Sequence, residues 1–293
     1  MAICKKSDKY SLLPEPEFIT FSLDHVKGLR RFACLNDKQI WICDMEVQVM
    51  KLYDTQGSLQ CSVQTEKETS PFDIAVTSGG EVVYTDVNNK TVYMMKNSQI
   101  EEIIRLKNWT PLNVCSTSSG DLLVTMSSSN FKEFKVNRYR GNTEIRSIQF
   151  DDEGRPLYSP GYLKYISENR NQDVCVADCR EHALVVVNQA GKLRFRYTGN
   201  QATSKRSFDP YGIATDSQGN ILAADCNNHC IHILNQDGDF LRYIDNCELR
   251  TPRELCVDPK DNLLVTEYYT GDVTNVLKKI KYKSYVDNSK GER

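Results

Sequence analysis

Arginine, tyrosine and acidic side chains recur at two fixed places in this sequence of 293 residues. They directly follow either the Pro or Leu that opens a repeated unit or the acidic residue that closes it. The twelve residues at these places are Arg30, Arg31, Phe72, Asp73, Lys164, Tyr165, Arg180, Tyr211, Arg253, Glu254, Tyr268 and Tyr269. Arginine and tyrosine are enriched at binding hot spots because each combines a large apolar body with a directional polar group. We therefore expect these side chains to form a surface that binds a partner.

The first and last residues of the repeated unit lie fifteen positions apart, and the unit occurs six times without an internal gap. Its copies cover residues 29–44, 71–86, 111–126, 163–178, 210–225 and 252–267. The fourth position is apolar in every copy, the next position is small, and five copies close on an acid. The closing residues follow one another at intervals of 42, 40, 52, 47 and 42 residues. A period in the low forties with several short strands per unit is typical of a β-propeller blade.

The sequence therefore predicts an all-β protein that folds as a six-bladed β-propeller. The last copy lacks its fourth strand, whereas residues 18–23 near the N-terminus look like a strand without a partner of its own. Pairing of this N-terminal strand with the last blade would close the ring and remove an exposed edge. We expect one propeller over residues 14–283, a disordered leader over 1–13 and a polar C-terminal tail over 284–293.

The charge balance is nearly neutral, with 37 Lys and Arg against 39 Asp and Glu. This balance argues against DNA and against a membrane surface as partners, since both favour a basic excess. The aliphatic runs are far below the ~20 residues of a spanning helix, and the N-terminus lacks the apolar stretch of a secretory signal. The eleven cysteines are odd in number and irregularly spaced, which favours reduced thiols and a cytoplasmic location.

The copy that begins at Pro210 ends in Asp225 and continues with Cys-Asn-Asn-His-Cys, and this segment resembles the NHL repeat, which is named for an Asn-His-Leu step. The copy that ends in Asp86 and continues with Val-Asn-Asn-Lys is a second match. The chain is similar in particular to the C-terminal propellers of tripartite-motif (TRIM-NHL) proteins, which combine such a domain with a ubiquitin-ligase ring, B-boxes and a coiled coil. None of those parts is recognisable in these residues, so the resemblance implies that ubiquitin-ligase activity belongs to a longer relative or a partner.

The resemblance implies a non-catalytic protein-interaction module that recognises a ubiquitination substrate or regulator, so a protein or peptide is the expected partner. Single-stranded RNA is the alternative, because some members of the family bind RNA through the same face. RNA requires a positively charged surface with aromatic stacking platforms. The aromatic residues are present, but acidic residues accompany the basic ones on the expected face. A second basic stretch, residues 132–146, lies on outer strands.

A calcium-dependent hydrolase or lyase is the third interpretation, since six-bladed propellers include gluconolactonase-like hydrolases and the amidating lyase, which hold a metal at the mouth of the central channel. The second residues after the opening Pro or Leu, at the third position of the six copies, point to that region and are Arg31, Asp73, Asn113, Tyr165, Gly212 and Glu254. Calcium requires several oxygen ligands, and an arginine in the same ring opposes a cation. No Gly-x-Ser-x-Gly, P-loop or His-Glu-x-x-His motif is present. We therefore expect no enzymatic activity and no cofactor.

Four further residues have metal-binding side chains, namely Cys226, His229, Cys230 and His232. Structural zinc sites usually separate two ligand pairs by about a dozen residues or more, and these four lie too close together for that arrangement. The sequence therefore predicts no metal site here.

The acids that close the units are Asp44, Asp86, Asp178, Asp225 and Glu267. Aspartate side chains accept backbone N–H bonds in turns. We expect these carboxylates to hold the turn after each second strand, and Met126 shows that the position tolerates loss of the acid.

Overall fold

A computed structural model describes residues 10–23, 26, 29–44, 48–66, 69–161, 164–200, 206–267 and 276–285. It consists of six four-stranded antiparallel sheets, arranged as the blades of a propeller. The predicted fold class is therefore confirmed. Among these residues, no helix combines the length and the apolar character that crossing a membrane requires.

The chain opens with β1 (Tyr10–Ser22), which belongs to the last blade, and then forms blades 1 to 3 in order. Blade 1 consists of β2 (Leu29–Cys34), β3 (Gln39–Asp44), β4 (Val49–Asp54) and β5 (Leu59–Gln64). Blade 2 consists of β6 (Asp73–Val76), β7 (Val82–Asp86), β8 (Thr91–Lys96) and β9 (Gln99–Arg105). Blade 3 consists of β10 (Trp109–Ser116), β11 (Leu122–Ser128), β12 (Phe134–Arg140) and β13 (Thr143–Ile148).

The second half of the ring repeats this pattern, with one short 3-10 helix (Cys179–Glu181) after β15. Blade 4 consists of β14 (Lys164–Glu168), β15 (Val174–Asp178), β16 (Ala183–Val187) and β17 (Leu193–Tyr197). Blade 5 consists of β18 (Pro210–Thr215), β19 (Ile221–Asp225), β20 (Cys230–Leu234) and β21 (Phe240–Ile244). Blade 6 consists of β22 (Pro252–Val257), β23 (Leu263–Glu267), β24 (Val276–Tyr285) and β1.

The N-terminal strand closes the ring as predicted. β1 pairs with β24 in antiparallel register, with Phe18 opposite Ile280 and Ser22 opposite Val276. The strand begins at Tyr10, so residues 10–13 belong to the propeller rather than to the expected leader. At the other end β24 extends to Tyr285, two residues past the expected boundary. Residues 1–9 and 286–293 lie outside the described part of the chain.

The repeated unit is the first hairpin of each blade. Its opening and closing residues face each other across the two strands, as Pro111 does with Met126 and Pro252 with Glu267. Apolar side chains from neighbouring sheets then pack between the blades. Between blades 6 and 1, for example, Leu264 lies in one buried cluster with Phe32 and Ile42. The ring is therefore closed both by backbone pairing and by packing.

Candidate functional site

A central channel runs between the first strands of the six blades. A cavity of about 420 Å³ in this channel is lined by the small residues at the fifth position of the unit, which are Ala33, Ala75, Cys115, Ser167, Ala214 and Cys256. Their small side chains leave the space open, which explains why this position is small in every copy.

The residues at the third position form a ring at one end of this channel, which we call the channel mouth. In four blades the pairing register of the first hairpin shifts beside this position, for example between Pro111 and Val114 and between Pro252 and Leu255. A bulge of this kind redirects a side chain and leaves its N–H without a ladder partner. The mouth is therefore built by irregular backbone as well as by the repeat.

Threonine hydroxyls accept the N–H groups at this position in blades 3 and 6, where the pairing shifts, and also in blade 2, where the pairing is regular. The N–H groups of Asp73, Asn113 and Glu254 donate to Thr85, Thr125 and Thr266 Oγ1 at 3.1, 2.7 and 3.1 Å. These threonines were missed in the sequence. The signal was a threonine directly before the closing residue in three of the six copies.

Arg31 lies at the centre of the mouth and is 5 % exposed. Its Nε is 3.5 Å from Asp73 Oδ1, and its Nη1 donates to Glu254. Its Cζ is 4.0 Å from the ring centroid of Tyr165, which belongs to blade 4 on the opposite side of the ring. Arg31 therefore spans the channel and closes this end of it.

The charges at the mouth are strongly coupled. Burial raises the pKa of Glu254 to about 7, although the positive charge of Arg31 opposes this rise. Burial likewise raises the pKa of Asp73 against the effect of Arg31. For Arg31, burial alone would lower the pKa, but Glu254, Tyr165 and Asp73 outweigh it and the pKa is raised. The guanidinium is thus permanently charged, whereas the two carboxylates are poorly solvated.

Two aromatic rings and a second arginine form the accessible rim of the mouth. Arg253 Cζ is 5.1 Å from the ring centroid of Tyr211, and the rings of Tyr211 and Tyr165 are 5.9 Å apart. Tyr211 and Arg253 are half-buried, as is Phe72. We call Phe72, Tyr211 and Arg253 the mouth surface.

Gly212 allows blades 5 and 6 to approach each other at this rim. A Cβ atom at this position would lie 2.4 Å from the carbonyl oxygen of Arg253 and 2.7 Å from the backbone nitrogen of Leu255. Any larger residue would have to displace backbone, so the position of Arg253 beside Tyr211 depends on this glycine.

Seven of the twelve expected binding residues therefore come together at the mouth, and they are Arg31, Phe72, Asp73, Tyr165, Tyr211, Arg253 and Glu254. Lys164 does not join the accessible surface. It is buried, 3.5 Å from Asp178 Oδ1 and 4.4 Å from the ring centroid of Phe134. Arg180 is exposed on the short 3-10 helix. The side chain of Arg30, and Tyr268 and Tyr269, lie outside the described residues.

Three of the five closing acids hold turns as expected, while the turn after Asp44 lies outside the described residues. Asp86 and Asp225 accept the N–H of the residue three positions later at 2.9 and 3.2 Å, and Asp178 accepts that of Glu181 at 3.4 Å. Glu267 instead accepts from the N–H of Arg250 in another loop. The turn role is confirmed for the three aspartates.

The metal-binding side chains near Asp225 form a buried hydrogen-bond network. Asp225, Cys230 and His232 bring their ligand atoms within 4.8 Å of one another. His232 Nε2 is 3.0 Å from Asp225 Oδ2, and His232 Nδ1 is 2.8 Å from the hydroxyl of Tyr197 in blade 4. His229 Nδ1 lies elsewhere and accepts the N–H of Thr251. Both nitrogens of His232 are thus engaged, and the residue links blades 4 and 5.

Calcium does not fit the ring at the mouth. The guanidinium of Arg31 contacts both Asp73 and Glu254, so a cation would meet a positive charge there. Asn113 Oδ1 is buried without a hydrogen-bond partner among the described residues. One such oxygen falls short of the ~6–8 ligands that calcium takes.

Comparison with protein families supports an NHL-type propeller. The NHL repeat matches residues 209–234, which lie in blade 5. This is the segment whose residues suggested the repeat, whereas the similarity to TRIM-NHL proteins in particular remains an expectation. A search of curated proteins finds no match.

Several solved structures share the fold at low sequence identity. Virginiamycin B lyase from Staphylococcus aureus is 13 % identical with a TM-score of 0.63, over 91 % of this chain and 99 % of the other. A gluconolactonase from Xanthomonas campestris is 13 % identical with a TM-score of 0.64, over 92 % and 91 %. Regucalcin from Agrobacterium tumefaciens, described as a calcium-binding protein, is 11 % identical with a TM-score of 0.65, over 91 % and 94 %. At these identities the likeness establishes the fold alone.

These similarities correct the expectation that the chain is not an enzyme. Two of these proteins are named as enzymes, a lyase and a gluconolactonase, and the shared fold covers almost the whole chain. The motifs missing from the sequence exclude only the reactions that use those motifs. The chain is thus a six-bladed propeller with an NHL repeat in its fifth blade, on a fold that also carries enzymes.

Proposed function

We propose that the protein is a recognition propeller that binds a protein or peptide partner at the mouth surface. The observation that carries this proposal is the half-buried pair of Tyr211 and Arg253, held beside Tyr165 on a closed ring. Side chains that are fixed before binding lose little conformational entropy when a partner arrives. Aromatic and arginine side chains held in this way are the usual anchors of a binding surface.

The chemistry of the mouth indicates which groups of a partner would bind. Arg253 offers N–H donors at the rim, and Tyr211 and Phe72 offer apolar ring faces. A peptide that places a carbonyl or carboxylate group on Arg253 and an apolar side chain on the rings would match both. The exposed Arg180 adds a second positive charge to a partner-accessible surface.

The proposal extends to the biological setting that the TRIM-NHL resemblance implies. In this form the partner is a substrate or regulator of a ubiquitin ligase, and the protein works in the cytoplasm. The free state of all ten cysteines in the described residues is consistent with a reducing compartment.

The test is selection of peptides from a displayed random library, followed by measurement of their affinities for purified variants. We expect Tyr211→Ala combined with Arg253→Gln to weaken the selected peptides at least tenfold, since hot-spot residues cost about 2 kcal/mol or more when truncated. Phe150→Ala combined with Arg105→Gln is the matched control, because both residues are exposed. Equal affinities for the two double variants would refute the proposal.

Single-stranded RNA is tested in the same series. Binding of random RNA that falls steeply with salt and is lost in the mouth variant would replace the peptide by RNA as the partner.

A second candidate function is an acid–base reaction at the inner side of the mouth. Glu254 lines the channel cavity of about 420 Å³, and its pKa is raised to about 7 by burial. A carboxyl group with a pKa near the working pH is suited to general acid–base catalysis. The volume of the cavity falls within the range of small-molecule sites.

The test of this second function is the hydrolysis of small lactones in the presence of a chelator, measured through the acid that the reaction releases. We expect Glu254→Gln to reduce the rate at least about a hundredfold, while the exposed Glu153→Gln leaves it unchanged. Parent activity that does not exceed the buffer rate, or that survives in Glu254→Gln, would dismiss this function. Neither result decides the proposal of peptide binding, which the peptide experiment tests separately.

A further inference from the structure

A second cavity lies between blades 3 and 4, at the end of the blades opposite to the channel mouth. Its volume is about 250 Å³. Three arginines on the outer strands of blade 3 line it, namely Arg138, Arg140 and Arg146, together with Asp121 from the first hairpin turn and Gln189 from blade 4. This is where part of the basic stretch 132–146 converges.

The arginines outnumber the carboxylates that they contact. Arg138 Nε is 2.9 Å from Asp121 Oδ2, and its Nη2 is 3.1 Å from Glu168 Oε1. Arg140 Nε is 3.0 Å from the other oxygen of the same Asp121. Arg146 Nη1 donates to the carbonyl oxygen of Ala190 at 3.0 Å, and the described residues give it no carboxylate partner. The cluster thus contains three guanidinium groups and two contacted carboxylates, which leaves one positive charge in excess.

One of these guanidinium groups has a donor with nothing to bind. Arg138 is 4 % exposed, and its Nη1 is buried with no hydrogen-bond partner in the described chain. A buried donor without an acceptor is costly, particularly on a charged group. The cluster therefore lacks an acceptor at the place where it also has surplus positive charge.

Asp121 does not cancel this surplus, because it is already engaged by two arginines. Burial alone would raise its pKa, but the bonds from Arg140, Arg138 and Ser119 outweigh burial and hold the pKa below the usual value. The carboxylate thus stays ionised and keeps Arg138 and Arg140 in place. The third arginine and the free Nη1 remain available for another anion.

We propose that this cavity binds a phosphate group. Guanidinium groups pair with phosphate through parallel N–H donors, and a tetrahedral oxyanion has enough oxygens to meet Arg138 Nη1, Arg140 and Arg146 together. The cavity has room for the phosphate and a short stem. Both free phosphate and a phosphate monoester offer this chemistry.

Titration calorimetry of the full chain at constant ionic strength tests the proposal, with inorganic phosphate and O-phospho-L-serine as separate probes. We expect saturable binding of one phosphate per chain. Loss of one charged hydrogen-bond donor in Arg146→Gln should weaken it about tenfold. Arg105→Gln removes the same charge from an exposed pair with Glu102 and should leave the affinity unchanged.

Two results would overturn the proposal: absence of saturable binding to the parent, or equal weakening by Arg146→Gln and Arg105→Gln. The relative affinities of the two probes identify the source of the phosphate group. Tighter binding of O-phospho-L-serine supports a monoester as the ligand, and tighter binding of inorganic phosphate supports the free ion. Arg146 is suited to this test because, among the described residues, its side chain bonds to a backbone carbonyl alone, so its replacement should not unfold the chain.

Discussion

Two buried arginines, Arg31 at the channel mouth and Arg138 between blades 3 and 4, differ in what surrounds them. Arg31 is one guanidinium between two carboxylates, Asp73 and Glu254, with the ring of Tyr165 over it. Arg138 also contacts two carboxylates, Asp121 and Glu168, but Asp121 is shared with Arg140. Arg31 thus has two carboxylates to itself, whereas Arg138 lies in a cluster of three arginines and two carboxylates.

The two arginines therefore have different roles, since Arg31 closes the channel and Arg138 belongs to a cluster that can bind an anion. A buried cation between two carboxylates has its charge compensated, so Arg31 closes the channel and leaves binding to the rim around it. Each arginine has one buried nitrogen without a hydrogen-bond partner among the described residues, Nε of Arg31 and Nη1 of Arg138. The two sites differ in that arginines outnumber the contacted carboxylates around Arg138. Burial of an arginine therefore does not indicate its role by itself, whereas the balance of charges around it does.

The largest expected effect is that of Arg31→Met. The substitution leaves two buried carboxylates without their cation, which should lower the free energy of unfolding by about 4 kcal/mol at pH 8. At pH 5.5 the loss should be smaller, because Glu254 and Asp73, whose pKa values are already raised by burial, can take up protons. Urea unfolding at the two pH values measures both. A loss that does not depend on pH would contradict the dependence of these two buried carboxylates on Arg31.

Replacement of the other buried arginine, in Arg138→Met, should cost less. Asp121 keeps its bond to Arg140, and Glu168 keeps the N–H and hydroxyl of Ser118 at 2.7 and 2.8 Å. We expect a loss of about 2 kcal/mol in urea unfolding, as for charged hydrogen bonds whose partners stay satisfied. If Arg138→Met were as damaging as Arg31→Met, the two sites would not differ in the way described.

The channel mouth should also have its own pH signature, which Glu254→Gln removes. The folded pKa of Glu254 is about 7, whereas an unfolded glutamate titrates near pH 4.3, so the folded chain binds more protons between these values. Its contribution to the free energy of unfolding therefore falls as pH rises through this window, by at most about 1.4 kcal/mol per pH unit.

The measurement is the difference in free energy of unfolding between parent and Glu254→Gln from pH 4 to pH 8. The difference should change between about pH 4.3 and 7 and be constant above pH 7. The exposed Glu153→Gln is the control and should run parallel to the parent. Parallel curves for Glu254→Gln would show that the carboxyl group at the mouth is not perturbed.

The channel mouth could be predicted in large part from the sequence. The unit has no internal gap, so the third position of each copy falls at the same height in the ring, and Arg31, Asp73 and Glu254 meet there. Lys164 was grouped with these residues by position, but its side chain lies against Asp178 and Phe134 inside the protein. The repeat thus predicts height along the channel but not which side of the strand a neighbouring residue faces.

The phosphate cavity could not be predicted in this way. The basic stretch 132–146 was visible in the sequence, but Asp121 and Ala190 come from turns of two different blades. Contacts between the turns of one blade and the outer strands of another depend on how the blades pack, which the pattern of the repeated unit does not contain. The bulges beside Pro111 and Pro252 were missed for a related reason, because the pattern has no gap at the position where the pairing shifts.

The smallest effect on stability, and the sharpest test of the difference between the two sites, is expected for Arg140→Gln. This side chain is 71 % exposed, so its ion pair with Asp121 is largely screened by solvent and its loss should not shift the midpoint of urea unfolding measurably. The same substitution removes a donor that faces the proposed phosphate, so it should weaken the binding of inorganic phosphate several-fold in calorimetry. A residue that merely supported the fold would lower stability and leave phosphate affinity intact. Arg140→Gln should leave stability intact and lower the phosphate affinity, because the basic cluster carries more positive charge than its own carboxylates neutralise.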